Sequence, residues 1–135
     1  MENLCIVENG NHLHIYPSLL LDLQGYEDEN QRNSDVINYI LTNIDDVLND
    51  YGTINFHVHT GSMKISHTSK YKTVVSLFIQ IVTVKYSTTM LDKCYLYDVN
   101  RAMKLILELI QPALPKVVKT KMIVVKEASD DDKED

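Results

Sequence analysis

Histidine is the first residue type in this chain whose spacing suggests chemistry. Two His-x-His pairs, His12/His14 and His57/His59, sit in segments that alternate apolar and polar residues. In an extended strand, residues two apart project from one face, so each pair offers two imidazoles to the same side. That is half of a zinc site, which takes three or four ligands. His67 is the remaining histidine and no convincing third ligand accompanies either pair, so no bound metal is expected. Ser62 and Ser66 lie near His59 and His67, a proximity that chance often supplies. No G-x-S-x-G, Walker or dinucleotide glycine pattern occurs, and the chain's 4 glycines are too few for a phosphate cradle. The chain is therefore expected to be non-enzymatic and to carry no cofactor.

Charge gives a quieter signal. Tyr51 to Leu91 contains no acid, yet holds Lys64, Lys70, Lys72 and Lys85, and a second acid-free run, Leu109 to Lys126, holds Lys116, Lys119 and Lys121. In parallel α/β sheets, ligands favour the crevice at the carboxyl ends of the strands. The loop after Val58 and His59 is expected at such an end, bringing His59, Lys64 and His67 to a place suited to a phosphate or a headgroup.

These residues need elements to position them. Two β-type runs, LCIVE and LHIYP, flank Asn9-Gly10-Asn11, which reads as a hairpin because both Asn and Gly tolerate positive φ. A polar loop, Gly25 to Asn30, precedes a helix capped by Asn33 or Ser34 and running to Asp50. Ile37, Ile40, Leu41, Ile44, Val47, Leu48 and Tyr51 form its buried stripe, and Gly52 ends it. Thr53 to His59 is a strand with Ile54, Phe56 and Val58 on one face and Asn55, His57 and His59 on the other. Lys70 to Tyr86 reads as a helix whose apolar residues cover well over half its circumference, implying burial on more than one side. Cys94 to Val99 is a strand in which Tyr95, Tyr97 and Val99 share a face. Asn100 caps a third helix carrying Met103, Ile106, Leu107 and Ile110, stopped or kinked by Pro112 and Pro115. Lys121 to Lys126 is a last short strand. The order implies an α/β layered sandwich with a mainly parallel sheet, an N-terminal β-hairpin and about three helices.

At 135 residues, 44% hydrophobic and 24% charged, the chain is one globular domain's worth, placed at residues 1–126. The formal charge of −6 is concentrated in residues 127–135, EASDDDKED, which are expected to be a disordered acidic tail. The near-neutral body argues against nucleic-acid binding, which needs a basic footprint. No apolar run is long enough to span a bilayer, and the N-terminus lacks the features of a signal peptide. Cys5 and Cys94 are too few for a disulfide framework and read as small buried hydrophobes, so a cytoplasmic protein is expected.

The stretch KYSTTMLDKCYLYDVNRAMKLILELIQPALPKVVKTKMIVVK, from Lys85 to Lys126, resembles the C-terminal half of a CRAL-TRIO lipid-binding domain. That family shows a "YP-E-L" phrase, a strand like "YIINAP", a helix, "I-KPFL", then "T--KI" and a final strand. The counterparts here are Tyr86 and Leu91, then CYLYDVN, then Ile110-Gln111-Pro112-Ala113-Leu114, then Thr120-Lys121-Met122-Ile123. Upstream, INFHVHTGSM stands at the family's "-V-D--G" strand and loop, with Gly61 on the glycine. Asp98-Val99-Asn100 lacks the proline of "NAP", and histidines replace a frequent acid before Gly61. The resemblance covers about residues 12–126. It implies a minimal member, without the preceding helical domain or the "LP-E-GG" and gating segment that usually follow. It also implies binding of a lipid or other small hydrophobic molecule, with Phe56, His59, Lys64, Tyr95 and Tyr97 as candidate ligand contacts. The alternative is a protein-interaction module that self-associates or binds a partner such as a small GTPase, since aromatic residues on a helix-free sheet face invite a second subunit.

Overall fold

The computed structural model describes residues 1–125. The expected acidic tail lies outside the described residues. Five strands form one sheet in sequence order: β1 (Cys5–Glu8), β2 (His12–Ile15), β3 (Ile54–His59), β4 (Leu91–Tyr97) and β5 (Met122–Val125). β1 pairs antiparallel with β2, and the remaining neighbours pair in parallel. Asn9 and Gly10 carry the positive φ angles, 51° and 88°, that the hairpin turn requires.

Three helices make the parallel crossovers: α1 (Glu29–Tyr51), α2 (Thr68–Lys85) and α3 (Arg101–Ile110), followed by the short α4 (Lys116–Thr120). Each crossover steps to the next strand in the same direction. With the usual right-handed connection, this stacks every helix on one face of the sheet and none on the other. The fold is thus the expected α/β layered arrangement.

Three local expectations need correction. The first helix begins at Glu29 rather than near Asn33, because the Asp28 carboxylate accepts the Asn30 N–H at 2.9 Å and caps it there. α2 is a helix as expected, but it is not buried on several sides. Tyr71, Val74 and Ile79 are buried, whereas Val84 is 88% exposed, because α2 lies in a single helical layer whose outer side meets solvent. β4 starts earlier, at Leu91, and stops at Tyr97, where Asp98 turns the chain with a φ of 56°.

Other signals match their expected roles. Gly52 closes α1 in the left-handed region, with a φ of 81°. Asn100 caps α3 by accepting the Met103 N–H at 3.1 Å, and its Nδ2 donates to the Met63 carbonyl at 2.9 Å. That second bond ties the loop after β3 to the start of α3. Thr60, fully buried, donates its hydroxyl to the Tyr97 carbonyl at 2.9 Å and locks the carboxyl ends of β3 and β4 together. Asp45 accepts from the Tyr86 hydroxyl at 2.6 Å and from Lys85 Nζ at 3.1 Å, joining α1 to the end of α2. The Tyr86 bond is the main cause of the Asp45 carboxyl sitting below its ordinary range.

Candidate functional site

Alternation along the strands divides the sheet into two chemically different faces. Leu13 and Ile15, Phe56 and Val58, Cys94 and Leu96, and Met122 face the helices, as the register requires. Their packing against the helices is incomplete. A cavity of about 230 Å³ lies between the sheet and the helical layer. α2 contributes Tyr71, Val74, Val75, Phe78, Ile79, Val82 and Thr83 to its lining; α3 contributes Met103, Leu107 and Ile110. Leu114, Pro115 and Val118 complete the wall beyond α3. Thr83 brings a hydroxyl, but it donates to the Ile79 carbonyl at 2.8 Å, within its own helix. The Cys94 thiol is pushed up to about 11, and that of Cys5 to about 12, by burial, so both are packing groups rather than nucleophiles.

The opposite face carries the histidines. His12 Nδ1 meets His57 Nε2 at 2.7 Å, His14 Nδ1 meets His59 Nε2 at 2.9 Å, and the Tyr97 hydroxyl meets His57 Nδ1 at 2.7 Å. Rings also stack along the face: His14 on His57 at 4.4 Å between centroids, Tyr16 on His59 at 4.5 Å, and Tyr97 on His59 at 4.6 Å. A neutral imidazole has one donor and one acceptor. His57, bonded at both nitrogens, therefore transmits a single direction of hydrogen bonding between His12 and Tyr97. The rings shelter one another so well that His57 is only 8% exposed with no helix above it. Burial and then the neighbouring His14, His12 and His59 lower its pKa to about 4, and burial lowers that of His59 as well. Among the described residues, no three histidine, cysteine or carboxylate groups are placed to hold a metal ion.

The five residues named from the sequence do not converge. Phe56 lines the cavity. His59, Tyr95 and Tyr97 belong to the ring network on the other face, Tyr95 stacking on His57 at 4.8 Å. Lys64 is exposed in the loop after β3, just before a 3-10 turn at Ile65–His67. The residues missed were the apolar positions of α2 and α3, which read as ordinary core. The available signal was the excess of apolar circumference on α2, more than one sheet-facing side can bury.

A CRAL/TRIO domain model matches residues 5–133. The chain belongs to the CRAL/TRIO domain family. The fold is similar to that in a crystal structure of Sfh5, with a TM-score of 0.71 and 16% sequence identity over 91% of this chain. The matched region is 47% of that chain, so this CRAL/TRIO chain spans about half of the Sfh5 length. No curated protein sequence matches it. Family membership supports a lipid-binding module at family level. No helix among the described residues is long and apolar enough to cross a membrane.

Proposed function

We propose that this CRAL/TRIO domain binds one small hydrophobic molecule, without catalysis, in the cavity between its sheet and its helices. The carrying observation is that cavity: about 230 Å³, walled by aliphatic, aromatic and sulfur-bearing side chains from both layers. Its volume lies below the roughly 300–1,000 Å³ of most ligand pockets, which favours a single chain or ring system over a two-chain phospholipid. A ligand filling such a void restores contacts whose absence costs about 24 cal/mol per Å³, or about 5.5 kcal/mol for the whole space. Native mass spectrometry of the protein mixed with decanol should show a one-to-one complex. At a hundredfold excess over Kd the melting temperature should rise by about 5–10 °C. No adduct and no shift with a series of single-chain ligands would overturn the proposal.

A second reading, an interaction module that self-associates or takes a protein partner, draws on the helix-free face. Ile6 and Ile123 share that face by register and are each 37% exposed, flanking the half-buried tyrosines. Under this reading Tyr97→Glu converts a dimer to a monomer in light scattering. A wild-type protein that is already monomeric rejects self-association.

A further inference from the structure

The cavity wall is divided between two parts of the chain that meet along one short seam. Leu4, Ile15, Leu20 and Ile37 come from residues 1–51, whereas the wall from Phe56 to Met122 comes from residues 54–125. Within the sheet, the two parts join only where β2 pairs with β3, along His12 to Ile15. Away from that seam, two sets of side-chain bonds link them among the described residues. Asp45 bonds Lys85 and Tyr86, and Glu29 pairs with Lys70.

Imidazoles hold the helix-free side of the seam. His12 reaches His57 and His14 reaches His59 across it, each through one nitrogen–nitrogen hydrogen bond. Such a bond needs an N–H on one ring and a bare nitrogen on the other. One added proton is accommodated, because the pair still sets a donor against an acceptor. A second proton on the same pair sets N–H against N–H at 2.7 or 2.9 Å, with two like charges behind them. His57 is the most constrained member, since the Tyr97 hydroxyl engages its other nitrogen. The surroundings compensate little. Glu8 on β1 lies 3.6 Å from His14, and Asp98 beyond β4 acts on His59. Lys93 on β4 adds a positive charge to the same face, and Tyr16, Tyr95 and Tyr97 bring only phenols. The helices lie on the other side of the sheet. Two carboxylates and one ammonium leave most of four imidazolium charges unbalanced.

We propose that the β2–β3 seam is an acid-operated clasp on the cavity. Doubly protonated His12–His57 and His14–His59 pairs push the strands apart, divide the cavity wall and release its ligand. This rests on the proposed hydrophobic-ligand function and adds its regulation. The sign follows from proton counting. In the closed seam, burial and then His14, His12 and His59 keep His57 neutral until about 4, whereas an opened seam exposes it to protonation near its ordinary 6.5. Opening therefore becomes easier by up to about tenfold for each pH unit lost between those values.

The test follows decanol carrying a ¹³C-labelled terminal methyl by exchange NMR on the full chain at pH 6.5 and pH 5. Its dissociation rate from the wild type should rise roughly tenfold to thirtyfold on acidification. His57→Gln, which cannot take the proton, should release decanol at nearly the same rate at both pH values. Hydrogen exchange of the ligand-free wild type needs no variant. Corrected for the intrinsic pH dependence of exchange, the amides pairing β2 with β3 should lose about thirtyfold in protection. They should also stay less protected than the amides pairing β3 with β4. Equal protection of the two sets at pH 5 means that only global unfolding opens the seam, which overturns the clasp. A dissociation rate unchanged by acid overturns it as well, while the cavity reading stands. Decanol that fails to bind at pH 6.5 overturns the cavity reading, and release of a ligand falls with it.

Discussion

Between pH 6.5 and pH 4 the folded protein should lose about 3 kcal/mol of stability through His57. The direction follows from proton counting. In the unfolded chain His57 takes up a proton near its ordinary value of 6.5, whereas in the folded sheet it resists protonation until about 4. Above pH 6.5 both states hold the neutral ring, and the full stability is present. As the pH falls through the window the unfolded state binds more protons, so folding weakens by up to about 1.4 kcal/mol per pH unit, and below about 4 the loss saturates. The cause is geometric. His57 is buried between β2 and β4, accepts or donates at both nitrogens, and sits beside three other imidazoles whose protonation repels its own. His59, also lowered, adds to the slope in the same direction. Urea denaturation at pH 7.5 and pH 4.5 measures the effect. His57→Gln, which cannot titrate, should lose most of the difference, and an unchanged difference in that variant would assign the slope elsewhere.

That network shows where sequence reading succeeds and where it stops. The parity of β3 was legible from a strict period of two, which separated Phe56 and Val58 from His57 and His59. The hairpin at Asn9-Gly10 and the Asn100 cap were legible because each depends on a few adjacent residues. Placing Phe56 beside Cys94, and His57 beside Tyr95, requires the β3–β4 register, which long-range packing sets. Without it, the sequence offers no reason to part Phe56 from Lys64, Tyr95 and Tyr97, although the sheet itself separates Phe56 from the aromatic rings. The start of α1 was hidden for another reason: Glu29 to Arg32 are polar, and their helicity depends on the Asp28 cap rather than on an apolar stripe.

The helix-free face also changes how its tyrosines are understood. Considered strand by strand, Tyr95 and Tyr97 call for a covering layer. In the sheet, they and the imidazoles on β2 and β3 stack face to face across the strands and remove much of one another's surface from water. A polar aromatic face can therefore stay open to solvent where an aliphatic one would forfeit roughly 25 cal/mol per Å² of burial. The incompletely packed surface lies instead on the helix side, where the sequence looked like an ordinary core.

Two substitutions in the cavity should therefore move stability and binding in opposite directions. Val75 is a half-buried lining residue on α2, and Val75→Phe places a ring in the void. Filling space that holds no protein atoms should leave the ligand-free melting temperature unchanged or higher, while decanol binding falls about a hundredfold because the ring occupies its volume. Leu96 is buried at 3% exposure on the sheet side of the same cavity. Leu96→Ala should cost about 2–5 kcal/mol in urea denaturation, since it deletes packed atoms and enlarges the void. It should nevertheless keep binding decanol and accept longer chains better than the wild type does. If the space were only a packing defect in an ordinary core, Val75→Phe would stabilise and Leu96→Ala would destabilise as before, but neither would change affinity for a single-chain ligand. The paired measurement thus separates a binding cavity from a loosely packed core, because only a ligand links filling to loss of affinity and enlargement to its retention.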